Sequence, residues 1–362
     1  MPDAPTPEIQ IGDRKISLAE PVYFIAEIGS NFDGDLARAC DLIHLAEEAG
    51  ADAAKFQHYT AASLVSEVGF ARMGERQAHQ SAWKDSVFET YRRASLNREW
   101  TEALKEACDD AGLHFMTSPY SIDLVDYVDP WVPAYKVGSG DITWLEIIDY
   151  MAAKGKPVLL ATGASTQDEV DRAVAAASRS PGGVVVLQCN TNYTAEFANF
   201  AHIHLNVLRE YERRYPQAVL GLSDHTRGHA TTLGAVALGA RVIEKHFTDS
   251  NDREGPDHGF AMTPGSWREM VDRTRELEAA LGTTIKRIEP NEAGTVVVQR
   301  RAVRAARDLE LGRVLTRKDL AFLRPCPVGA LPPEQGDLLI GRKTVRAIEA
   351  GDHFTSEDLS LS

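Results

Sequence analysis

The chain has 362 residues, 43% apolar and 25% charged, with a formal net charge of −14. Such proportions belong to a globular protein able to bury a core of useful size, and the acidic balance excludes a nucleic acid or an anionic membrane surface as the main partner. Cys40, Cys108, Cys189 and Cys326 are widely spaced without a C-x-x-C and read as free thiols. No leader pattern lies between Met1 and Glu20, and no apolar run approaches the roughly 18 residues of a membrane span, so the expected location is cytoplasmic.

One unit recurs from residue 23 to 282: a short apolar strand, a polar tip, then a helix. Strands are predicted to begin at Tyr23, Ala53, His114, Ala134, Pro157, Val184, Ala218 and Arg241, as short continuous runs suited to burial on both faces. Between them, Leu36, Ala39, Ile43 and Ala46 recur at helical spacing up to Gly50. Trp100, Leu104, Ala107 and Ala111 form a second stripe, and Thr166 with Glu169 makes a capping box before Val170, Ala173 and Ala177. Met270, Thr274, Leu277 and Leu281 close the set at Gly282. Eight alternating units predict an α/β protein with a (β/α)8 barrel over residues 1–282. A doubly wound open sheet is the alternative, and the lack of a G-x-G-x-x-G turn after the first strand argues against it. Thr60–Leu96 is too long for a plain βα loop and is expected to fold over the barrel mouth.

A linker is expected over 283–298 and a small β-rich domain over 299–362. That domain contains an echo. Glu310, Gly312, Thr316, Asp319 and Leu320 repeat as Glu349, Gly351, Thr355, Asp358 and Leu359, with the pattern E-x-G-x-x-φ-T-x-x-D-L. In each copy the glycine supplies a turn, and the Thr with the later Asp caps a short helix.

Residues just past barrel strand ends face the active-site mouth, and here they form a polar set. Lys55 and Lys136 lie inside apolar strands, where an unpaired ammonium is costly. Either each pairs with a carboxylate, or both share an anionic ligand such as phosphate with the hydroxyls of Ser118, Ser139 and Ser223. Thr162, Thr191 and Tyr193 follow strands 5 and 6, and Gln57 and Asp141 follow strands 2 and 4. His225 and His246 end neighbouring strands. They are either structural or share a divalent cation with oxygen ligands or water, and such a cation would polarise an aldehyde oxygen. Glu27, Glu244 and Asp257 fit sugar-hydroxyl binding or proton transfer, and equally salt bridges.

Together these residues resemble the sialic acid (N-acetylneuraminate) synthase family, which includes synthases of legionaminic and pseudaminic acids. The resemblance rests on Ala26–Gly29 (AEIG), Gly50–Gln57 (GADAAKFQ), Lys136–Asp141 (KVGSGD), Ser223–Thr226 (SDHT), Gly239–Thr248 (GARVIEKHFT) and Gly255–His258 (GPDH), in that order. From Gln299-Arg-Arg-Ala-Val303 the chain resembles the family's antifreeze-like SAF domain, of β-clip type.

The resemblance implies condensation of phosphoenolpyruvate with an N-acylated mannosamine-type aldehyde and water. A divalent ion, Mn²⁺ or Mg²⁺, would be held by His225 and His246. It implies phosphoenolpyruvate contacts from Lys55, Ser118, Lys136, Ser139, Ser223 and Thr191, and acceptor or acid–base roles for Glu27, Gln57, Asp141, Tyr193, Glu244 and Asp257. A swapped homodimer is implied too, with Arg300 or Arg301 reaching the partner's site. Departures cluster near the expected substrates. Asn31-Phe32-Asp33-Gly34 stands for the usual Asn-His-Asn-Gly, and Ala161-Thr162-Gly163 for Ser-Thr-Gly. Cys189-Asn-Thr-Asn-Tyr-Thr194 stands for Cys-Thr-Ser-x-Tyr-Pro, and Gly259 for the usual Lys or Ser. Alternative readings are another phosphoenolpyruvate-dependent 3-deoxy sugar acid synthase, or a Schiff-base pyruvate aldolase using Lys55, Lys136 or Lys245.

Overall fold

A computed structural model describes residues 6–74, 80 and 83–360. The expected strands form as β1 (Tyr23–Glu27), β2 (Ala53–His58), β3 (His114–Pro119), β4 (Tyr135–Val137), β5 (Val158–Ala161), β6 (Val184–Cys189), β7 (Val219–Asp224) and β8 (Val242–His246). Their ladders are all parallel, in the order β3-β2-β1-β8-β7-β6-β5-β4. The first strand pairs with the last, from Tyr23 against Val242 to Glu27 against His246. The end strands β3 and β4 pack side by side, so the sheet closes into a barrel.

Period-two alternation sorts every strand into an inward and an outward set. Inward positions low in the barrel are apolar. Tyr23, Ile25, Ala53, Met116, Leu159, Val185, Leu187, Val219 and Val242 form one buried cluster. Outward positions such as Phe24, Phe56, Phe115 and Ile243 pack with the helices into a second, larger core. The next inward positions up the strands are polar, and they build the site.

An antiparallel hairpin of Ile9–Ile11 and Arg14–Ile16 adds Ile9, Ile11 and Ile16 to the inner cluster, below the barrel. It went unrecognised in the sequence although I-Q-I-G-D-R-K-I carries the alternation. Its turn needs Gly12, at φ +57, where a Cβ would stand 2.4 Å from His114 Nε2.

The helices follow their local chemistry. Asp35 caps Leu36–Glu48 by accepting from the Ala37 and Arg38 N–H groups, and that helix buries Ala39, Leu42, Ile43 and Ala46. The Thr166/Glu169 capping box starts Gln167–Ala177, which buries Val170, Ala173 and Ala177. Leu281, expected at the end of a buried stripe, is 44% exposed on the last turn of Pro264–Leu281. Within Thr60–Leu96 the helices Ala61–Leu64, Glu67–Met73 and Val87–Ala94 are formed, and residues 75–79 and 81–82 lie outside the described residues.

The compact units divide between Gly282 and Thr283. Pro290–Glu292 and Ala293–Gln299, within the stretch read as a linker, are helical and group with the second unit. That unit pairs Ala302–Ala305 antiparallel with Leu320–Leu323 and packs Val303, Ala305, Leu315, Ile348 and Phe354 into its own core. Both halves of the sequence echo form the same capping box, Thr316 with Asp319 and Thr355 with Asp358.

Candidate active site

Four ionisable side chains meet inside the barrel at inward-facing strand positions. Glu27 ends β1 and stands in register with Lys55 on β2, with which it forms a close ion pair. Glu244 on β8 receives Lys136 Nζ at 3.2 Å from β4 and lies 3.8 Å from Lys55 Nζ. All four are buried. The hydroxyls follow: Lys55 lies 3.4 Å from Ser118 Oγ, and Ser223 donates to Glu244 at 3.1 Å. Gln57 donates to Glu27 at 2.8 Å. Both lysines are therefore paired with carboxylates, and their pairs touch each other.

The two carboxylates sit in unlike surroundings. Burial pushes Glu27 up to about 7, with nearby Glu244 adding to the shift and Lys55 only partly opposing it. Burial also works against ionised Glu244, but Lys136 and Lys55 together more than offset it and hold this carboxyl well below its ordinary range. Such divergence between neighbouring acids separates a proton-transfer group from a fixed counter-charge.

One inward position above Glu244 is His246, and His225 follows β7. Their ring centroids are 5.5 Å apart. Tyr193 stands edge-on to His225 at 4.4 Å, and Phe260 to His246 at 4.8 Å. The Asn190 carbonyl, 2.9 Å from His225 Nδ1, can only accept, so that nitrogen carries a proton; burial opposes the charged ring, but the Cys189 thiol beside it and the Asn190 carbonyl more than offset this and shift its pKa upward. Burial holds His246 down to about 4, hence neutral, and its buried Nδ1 has no hydrogen-bond partner, with Asp257 Oδ2 3.8 Å away. Two adjacent imidazoles, one with an orphaned buried nitrogen, fit a divalent ion. Among the described residues no group of three or more His, Cys, Asp or Glu could hold a metal, so any such site would be left open to water or substrate.

A cavity of about 410 Å³ opens at this end, lined by Gln57, Ser139, Asp141, Thr191, Tyr193, His246 and Asp257 among others. Ser139 accepts from the Gly163 N–H at 3.0 Å, and Thr191 Oγ1 is buried without a partner. Asp257 is fixed by Ser30 Oγ at 2.9 Å. Burial lifts Asp141 to about 6 against the pull of Lys136.

Of the expected residues, Glu27, Lys55, Ser118, Lys136, Ser223, His225 and Glu244 are not on the lining of this cavity, and others turn away from the barrel interior. Thr162 turns outward, donating to Leu187 O at 3.0 Å and accepting from Tyr211 of the helical layer at 3.1 Å, because Ala161 takes the inward position. Lys245 also points outward, bound to Asp224 at 2.5 Å and the Thr226 carbonyl at 2.7 Å, and so presents no amine to the cavity. Arg300 and Arg301 belong to the second unit, where Arg301 donates to Phe322 O at 2.7 Å. Two contributors escaped the sequence reading. Phe260 lies beyond any recognised pattern. Gly29, at φ +56, sits where a Cβ would come within 2.8 Å of Asp257 and 3.2 Å of Glu27, and its signal was its place in AEIG.

Comparison with known proteins agrees with this architecture. The model of the NeuB family matches residues 42–286, and that of the SAF domain residues 300–360. The chain is 31% identical to an N,N'-diacetyllegionaminic acid synthase of Legionella pneumophila, over 94% of this chain and 96% of that one. It is 30% identical to the human N-acetylneuraminate-9-phosphate synthase, over 95% and 94%. A crystal structure of an N-acetylneuraminic acid synthetase from Leptospira borgpetersenii superposes with a TM-score of 0.69 at 26% identity, covering 80% of this chain and 95% of that one. A closed parallel barrel carrying these residues, followed by a SAF domain, makes this chain a member of the NeuB family.

Proposed function

We propose that this chain condenses phosphoenolpyruvate with an N-acylated mannosamine-type aldehyde and water, giving a nonulosonic acid and phosphate. The acceptor would be N-acetylmannosamine or a 2,4-diamino-6-deoxy relative. The observation that carries the proposal is the convergence of two buried lysine–glutamate pairs with the His225–His246 pair at one barrel mouth. The relatives' activities, legionaminic acid and N-acetylneuraminate 9-phosphate synthesis, support the same product class.

In this mechanism Lys55 and Lys136 exchange their glutamate contacts for charge-assisted bonds to the phosphate and carboxylate of phosphoenolpyruvate, with Ser118 and Ser223 donating. C3 then attacks the aldehyde carbon, water adds at C2, and the tetrahedral intermediate expels phosphate to leave an α-keto acid. Glu27, near neutrality, takes the proton from that water and returns it to the new alkoxide, the C2 hydroxyl proton leaves with the phosphate, and Glu244 remains the counter-charge to Lys136. Asp257, oriented by Ser30, accepts from an acceptor hydroxyl. Holding both reactants in line supplies about 7–11 kcal/mol of the barrier. His225 and His246 would hold Mn²⁺ or Mg²⁺, which when bound supplies a Lewis acid for the aldehyde oxygen. The reading includes a cytoplasmic homodimer in which the partner's Arg300 or the partner's Arg301 reaches the acyl group.

His246→Ala tests it. We expect loss of Mn²⁺ binding by calorimetry and loss of phosphate release, with an unchanged circular dichroism spectrum. Full activity after exhaustive chelation would remove the metal, and no phosphate release with any hexosamine aldehyde would reject the condensation.

A further inference from the structure

We infer that Phe260 is a positioning residue, which aims the His246 ring at the cation proposed to lie between His246 and His225. The inference rests on the metal site in the reading above and adds a residue to it. A histidine that ligates a metal is ordinarily oriented by a hydrogen bond to its other ring nitrogen. His225 has such a bond, from Nδ1 to the Asn190 carbonyl at 2.9 Å. Among the described residues His246 has none: its buried Nδ1 is without a partner, and Asp257 Oδ2 at 3.8 Å is beyond hydrogen-bond reach.

Packing takes the place of that bond. Phe260, 3% exposed, meets His246 at 4.8 Å and 68°, His225 at 5.7 Å and 69°, and Tyr193 at 5.3 Å and 58°. Tyr193 in turn meets His225 at 4.4 Å and His246 at 6.4 Å. With the two imidazoles 5.5 Å apart, each of these four rings touches the other three. His246 therefore cannot turn about χ2 without displacing Phe260. The backbone that carries Phe260 is itself held on several sides. The Met262 N–H donates to the His246 carbonyl at 2.7 Å, and the Thr248 N–H donates to the Met262 carbonyl at 2.9 Å. Asn251 Nδ2 donates to the carbonyls of His258 at 2.7 Å and Ala261 at 2.8 Å. Arg227 Nη2 donates to the Gly259 carbonyl at 2.8 Å. Arg227 lies two residues after His225, so this last bond ties the turn after β7 to the turn that presents Phe260.

The test titrates the full-length, metal-free protein with Mn²⁺ alone and reads the affinity by calorimetry. We expect Phe260→Leu to weaken Mn²⁺ binding about tenfold or more, and Phe260→Tyr, which keeps the ring, to stay within about twofold of the parent. Arg227→Ala, at an exposed position, should weaken Mn²⁺ about threefold and leave the thermal unfolding curve unchanged. Phosphoenolpyruvate affinity of the metal-free protein should be the same in all four forms. Parent-like Mn²⁺ affinity in folded Phe260→Leu would overturn the inference. So would an equal loss of phosphoenolpyruvate affinity, which marks a general distortion. If Phe260→Leu does not fold, Arg227→Ala decides, and unchanged Mn²⁺ affinity there overturns the inference. No Mn²⁺ binding by the parent protein would overturn both this inference and the metal site above. Mn²⁺ binding that depends on Phe260, without phosphate release from any hexosamine aldehyde, would reject the condensation and leave this inference standing.

Discussion

Lys136 shows how one residue ties stability to chemistry. Its ammonium is 3.2 Å from Glu244 and buried, so removing it leaves a buried carboxylate with only the more distant Lys55, at 3.8 Å, for a counter-charge. We expect Lys136→Met to destabilise the protein by about 3–5 kcal/mol in urea unfolding and to raise KM for phosphoenolpyruvate. Adding Glu244→Gln should recover most of the stability but not the activity, which separates the two roles. The sequence made Lys55 and Lys136 conspicuous because an ammonium in an apolar strand demands a partner. It left open whether that partner was a carboxylate or a ligand, since strand register alone brings Glu27 opposite Lys55. Thr162 was misread for a related reason. It lies next to a strand end, but the parity of β5 turns its hydroxyl toward Tyr211.

At the scale of elements, strands and helices were legible wherever local chemistry and burial pattern agree. The Thr166/Glu169 box and the two echo boxes satisfy helix-start donors within a few residues and need no tertiary help. Asp319 makes a pH prediction. Burial opposes its ionisation, but hydrogen bonds from Thr316 and Arg307 more than offset this and hold its carboxyl well below the ordinary range. A depressed native value means stability that is present above about pH 4, the ordinary carboxylate value, and lost as pH falls further. Acid unfolding of the second unit should therefore show a limb below pH 4 that Asp319→Asn flattens, at a cost of about 1 kcal/mol at neutral pH. Circular dichroism against pH checks it. The helices within Thr60–Leu96 were not foreseen individually. They are short, and Glu67–Met73 buries no residue, so it leaves no apolar stripe to read.

For the whole molecule, the proposed swapped dimer makes a complementation prediction. A chain carrying His246→Ala and a chain carrying both Arg300→Ala and Arg301→Ala should each be inactive alone. Refolded together, they should regain phosphate release, because a mixed dimer pairs an intact barrel with an intact SAF domain. No recovery in a mixture shown to contain mixed dimers would remove the partner arginine from the site. By itself the sequence determined the alternation of strand and helix, the boundary near Gly282, the capping boxes and the residue types available at each strand end, because these depend on neighbours within a few positions. Only the tertiary structure decided which of those residues meet. Closure of the barrel sets β1 against β8 and so Glu27 beside His246, strand parity turns Thr162 and Lys245 outward, and burial raises Glu27 whereas Lys136 and Lys55 overcome burial and lower Glu244. Those outcomes arise from contacts between segments far apart in the chain, whose geometry no local pattern records.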